Sequence, residues 1–178
     1  MDEQTKGRGG FVIITPPDSK GERSAVVADG LQTPSVVERF HPDLKTYIGQ
    51  LELLWAVAPI ASYPELFRGR KVIHFIDNSG ACAALIKGYA SAIDCGLIVN
   101  AYHAMAISLG CTVYIAHVRS KRNIADPPSR EAPEEATEIL RQVGIKRRKI
   151  TYDPSPKLPS LEQWEEPTHV WSHRVRAS

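Results

Sequence analysis

A chain of 178 residues is long enough for one ordinary domain with a core and some tail. Hydrophobic residues make up 43% and charged residues 24%, and a net charge of +2 leaves any nucleic-acid contact to local clusters of charge. The three cysteines, Cys82, Cys95 and Cys111, are odd in number and form no Cys-x-x-Cys, which argues against a disulfide framework and a thiolate zinc site.

A reducing, intracellular compartment fits those cysteines. The polar start, Met1-Asp2-Glu3-Gln4-Thr5-Lys6, has no signal-peptide core, and no apolar run is long enough to span a bilayer, so no membrane partner is expected. The run Gly10–Thr15 is β-branched, is stopped by Pro16-Pro17-Asp18, and predicts a strand. Ser24–Ala28 reads as its hairpin partner, stopped by Asp29-Gly30. Ser35–Phe40 is a weaker third run.

From Leu44 the period changes. Tyr47, Ile48, Leu51, Leu54, Trp55 and Ala58 fall at helical spacing, until Pro64 and Arg68-Gly69. Lys71–Ile76 is the best strand in the chain. Asn78 or Ser79 caps a helix reaching Lys87, which Gly88 closes. A longer helix is expected over Ser91–Leu109, then a strand over Cys111–Ala116, then the basic segment Arg119-Ser120-Lys121-Arg122-Asn123. Residues 133–143 read as one more helix.

This order predicts an α/β fold, a mixed sheet flanked by helices, over residues 9–143. Residues 144–178 carry Pro154, Pro156, Pro159 and Pro167 among mixed charges and read as a loosely ordered tail. Within it, Lys146-Arg147-Arg148-Lys149 is either a solvated basic run or a nuclear-import patch.

Three acidic residues stand out. Glu52 is the lone charge in the apolar stretch Ile48–Val57, without a cation at helical spacing. A carboxylate there needs a partner, a metal or a solvent-facing edge. Asp77 ends the strongest strand, where ligand sites of open α/β sheets collect, although a turn aspartate is common there too. Asp126 precedes Pro127, an ordinary turn position. Taken together, the three could converge at one edge of the sheet. Clustered carboxylates repel, and a divalent cation removes that cost.

Gln50-Leu51-Glu52-Leu53-Leu54, Phe75-Ile76-Asp77-Asn78-Ser79-Gly80-Ala81 and Asn123-Ile124-Ala125-Asp126-Pro127-Pro128-Ser129-Arg130 resemble three signatures of retroelement ribonuclease H domains, in the family's order. The likeness covers roughly Gly9 to Glu131. It implies a ribonuclease H-like fold within a retrotransposon reverse transcriptase polyprotein. It implies Mg²⁺- or Mn²⁺-dependent cleavage of the RNA strand of RNA–DNA hybrids. Glu52, Asp77 and Asp126 would be the catalytic, metal-binding carboxylates. His117 would assist product release. Asn78, Arg119, Lys121, Arg122 and Arg130 would meet the nucleic acid.

The resemblance breaks at the start of the chain. The family opens with a strand carrying an aspartate, and Gly10–Thr15 resembles its second strand. The resemblance therefore implies an N-terminally truncated fold, expected to be a fragment of a longer reading frame or a decayed copy. Asp2, Asp18 and Asp29 lack the family's Asp-(Ala/Gly)-Ser pattern, although Asp18 would serve if Gly10–Thr15 were the first strand. The absent strand is the central one, so its two neighbours would stand unpaired or close over the gap. An inactive remnant that keeps nucleic-acid or protein binding is the alternative function. A small α/β ligand-binding domain finds no Gly-x-Gly-x-x-Gly or P-loop to support it.

Overall fold

The β-branched run after Gly7 pairs early and locally. In the computed structural model, which describes residues 7–31 and 47–157, β1 (Arg8–Ile14) forms an antiparallel hairpin with β2 (Ala25–Leu31). The turn between them is held by Asp18, whose carboxylate accepts the amides of Lys20 and Glu22, each at 2.9 Å.

β2 continues through Asp29-Gly30, where the sequence predicts a stop. Tertiary partners override the turn preference. Buried Asp29 accepts from Arg8 at 2.9 Å and from the Tyr152 hydroxyl at 2.6 Å, and Gly30 pairs with Gly9. The predicted third run, Ser35–Phe40, lies outside the described residues.

The helical spacing after Leu44 gives α1 (Ile48–Ser62), followed by a 3-10 turn at Pro64–Leu66. Then come β3 (Lys71–Ile76), α2 (Ser79–Lys87), α3 (Ile93–Ser108) and β4 (Thr112–His117). Asn78 is the residue that caps α2, accepting the Ala81 amide at 2.9 Å, and Gly88 closes the helix at φ +76°. After β4 a short helix, α4 (Asp126–Ser129), leads into α5 (Pro133–Gln142).

One strand lies inside the segment expected to be loosely ordered. β5 (Ile150–Asp153) pairs in parallel with β2. Proline and charge counts miss it because its support is tertiary. Ile150 joins Ala25, Val27, Ala136, Leu140 and Ile145 in a core beneath α5, Tyr152 reaches Asp29, and Tyr63 donates to Asp153. Three cations of the basic run beside it are ion-paired: Lys146, Arg148 and Lys149 pair with Glu22, and Lys149 also with Asp18.

The architecture is mixed α/β, but the described strands do not make one sheet. A three-stranded sheet has the order β1-β2-β5, and a separate two-stranded parallel sheet holds β3 and β4. Among the described residues, β1 and β3 pair neither with each other nor through a strand between them. The main core joins α1, α2 and α3 to the inner face of β3–β4, through Leu54, Val57, Ile98, Tyr102 and Met105. The Tyr102 hydroxyl and His74 Nδ1 share a hydrogen bond of 2.8 Å, and burial pushes that histidine down to about 4, so it stays neutral.

Candidate functional site

Between the two sheets runs an open groove of about 740 Å³. Its floor is one face of α1: Glu52, Trp55, Ala56 and Pro59 follow i, i+3, i+4, i+7 spacing. Its walls are β1 and β3, and the loop Asn123–Ala125 also borders it.

Glu52 and Asp77 both line this groove. Glu52 is half-buried on an otherwise apolar helix, and Asp77 is half-buried at the end of β3. Desolvation, then the nearby charge of Asp77, pushes the Glu52 carboxyl up to about 7. Among the described residues no cation offsets these two effects on Glu52.

Asp126 stands at the first turn of α4, directly after the groove-lining loop. It is ion-paired to Arg130 one helical turn on. Among the described residues, no group of three or more His, Cys, Asp or Glu side chains stands close enough to hold a metal ion. Of the three predicted carboxylates, then, Glu52 and Asp77 interact, and Asp126 is engaged by its own helix.

His117 ends β4, exposed, with Nε2 at 3.1 Å from the main-chain oxygen of Asp77. It therefore ties the two strand ends together beside the carboxylates. Arg119, Lys121 and Arg122 are exposed on the turn after β4, around the 3-10 segment Ser120–Arg122. Of the aspartates weighed as substitutes, Asp18 is committed to its turn and to Lys149, and Asp2 lies outside the described residues; Asp29, within β2, is committed to Arg8 and Tyr152. Composition and motif reading missed the cations at the other end of the groove, Arg23, Arg70 and Lys71. The signal available was the pair Arg70-Lys71 at the start of the best strand.

Asn78 was expected at the nucleic acid, and its side chain serves the helix instead. Asn78→Ala should cost about 1 kcal/mol of stability, the usual loss of an N-cap. Urea unfolding checks this, and an unchanged midpoint would mean that water or Ser79 replaces the cap.

Among the described residues no helix is long and apolar enough to cross a membrane. Comparison with protein-family models, with curated proteins and with solved structures finds no match for this chain.

Proposed function

We propose that this chain is a ribonuclease H-like domain of a retrotransposon reverse transcriptase polyprotein, cleaving the RNA strand of RNA–DNA hybrids with Mg²⁺ or Mn²⁺. The observation that carries the reading is the Glu52–Asp77 pair, two carboxylates sharing an open groove at the end of a strand, one of them held well above its ordinary range. Hard oxygen donors, one of them without an offsetting cation among the described residues, suit a divalent cation. The donor set fits such an ion in kind, with Glu52 and Asp77 as holders and Asp126 as a third that must first leave Arg130.

The ion supplies activation of water and stabilisation of the leaving oxygen in phosphodiester cleavage. The chain's own side chains do the rest. Glu52 is kept poised by burial. His117 fixes the Asp77 main chain at its carbonyl. Arg119, Lys121 and Arg122 form an exposed cationic edge for phosphates.

A second reading, an inactive remnant that retains hybrid binding, is favoured by one observation. Asp126 is engaged by Arg130, leaving two carboxylates rather than three in mutual reach.

The test is cleavage of a labelled RNA–DNA hybrid under Mg²⁺ or Mn²⁺ titration, with binding followed separately by anisotropy. Metal-dependent cleavage that Asp77→Asn abolishes supports the nuclease. Salt-sensitive hybrid binding by a folded chain that does not cleave supports the remnant. Neither binding nor cleavage overturns both.

A further inference from the structure

Among the described residues, each wall of the groove is the unpaired edge of a sheet. Thr15 donates its amide to Ser24 at 2.9 Å, which makes these two a hydrogen-bonded pair of the antiparallel ladder. Alternation then gives the main-chain groups of Phe11 and Ile13 to β2 and turns those of Val12 and Ile14 away from it. On β3 the carbonyls of Arg70 and Ile76 accept from Thr112 and Val118. The even-numbered residues therefore bond β4, and Ile73 and Phe75 turn their N–H and C=O groups the other way. Both free edges border the same groove. The Ile73 and Phe75 side chains are 62% and 58% exposed, a high exposure for apolar residues of a central-looking strand.

One added strand would satisfy both edges at once. The apolar floor (Trp55, Ala56, Pro59) and the exposed Ile73 and Phe75 call for a segment apolar on both faces, as in a buried strand. The length of β3 sets it at about six residues. Arg70 and Lys71 at the start of β3 call for a carboxylate at that end. A slot with an edge on each side takes a strand that is free on both sides. The described strands of a second copy are already paired on at least one.

We propose that the groove between β1 and β3 is an acceptor site for an extended, apolar segment of another polypeptide, beginning with an acidic residue and lying parallel to β3, which joins the two sheets by β-strand addition.

The test uses the full chain in metal-free buffer. The probe is a fluorescein-labelled peptide, Glu-Val-Thr-Val-Val-Thr-Val, followed by anisotropy. Saturable binding is expected. The same peptide with proline at its third and fifth positions, which removes the amides it offers to one of the two edges, should bind at least about tenfold more weakly. Replacing its glutamate by lysine should also weaken it. On the protein, Ile14→Pro removes an edge-facing amide at an exposed strand end, and Ile73→Lys charges the exposed wall. Both should weaken binding, with circular dichroism confirming that each variant is folded. Equal binding of the valine and proline peptides, no binding of either, or a concentration-dependent dimer in sedimentation that excludes the peptide overturns the proposal. Neither metal nor hybrid enters this readout, so its failure is separate from failure of the nuclease reading.

Discussion

Gly9→Ala should lower stability by about 1–3 kcal/mol, although it adds a single methyl group on a strand. A Cβ built at Gly9 would stand 2.2 Å from Trp55 Nε1 and 2.3 Å from its Cδ1. The obstacle is a ring rather than the end of a flexible chain. Trp55 is buried with Phe11, Ala28 and Ala58, and its indole N–H donates to the Gly7 carbonyl at 3.3 Å. Moving it breaks that bond and the packing together. Trp55→Ala by itself should cost about 3–5 kcal/mol, the range for emptying a large buried aromatic site. In the double variant the new methyl meets the space the indole left. The cost of the double variant should therefore fall short of the sum of the two single costs by roughly the whole Gly9 penalty, a coupling on the order of 1–3 kcal/mol. Urea unfolding of the four proteins measures it. Strictly additive costs would mean that the indole does not hold β1 against α1.

Glu52→Gln should stabilise the protein above neutral pH and leave it unchanged in acid. Below its ordinary value of 4.5, Glu52 carries a proton in both folded and unfolded chains and contributes no pH dependence. Between 4.5 and about 7 the unfolded chain releases that proton and the folded one keeps it, so stability falls as pH rises. Above about 7 both are ionised and the penalty is constant. The span from 4.5 to about 7 corresponds to at most about 3 kcal/mol. Partial contact with solvent reduces it to on the order of 1–2 kcal/mol. In metal-free buffer, the stability of wild type minus Glu52→Gln should therefore drop by that amount from about pH 4 to about pH 8. Asp77→Asn should shrink the drop, because the Asp77 charge is part of its cause. A flat difference across this range would place Glu52 in open water and remove the observation on which the functional reading stands.

The local elements were legible in the residues because their causes are local. β-Branched runs at Gly10–Thr15 and Lys71–Ile76, helical spacing from Tyr47 to Ala58, the Asn78 cap and Gly88 stop all fix structure within a few residues. Glu52 and Asp77 were legible for the same kind of reason: a charge alone in an apolar helix and a carboxylate at a strand end both announce an unmet need.

Distant partners decided the rest. Asp29-Gly30 stayed in a strand because Arg8 and Tyr152 satisfy the aspartate. Ile150–Asp153 became a strand because Val27 and Leu140 offered it a core. Asp126 went to Arg130 rather than to the other carboxylates, a choice between a cation one helical turn away and two like charges across the groove. The separation of β1 from β3 follows from no local signal in the residues. The groove it leaves, apolar along its floor, cationic at Arg70 and Lys71 and acidic at Glu52 and Asp77, exists because two unpaired edges and one helix face meet in space, which no single stretch of the chain encodes.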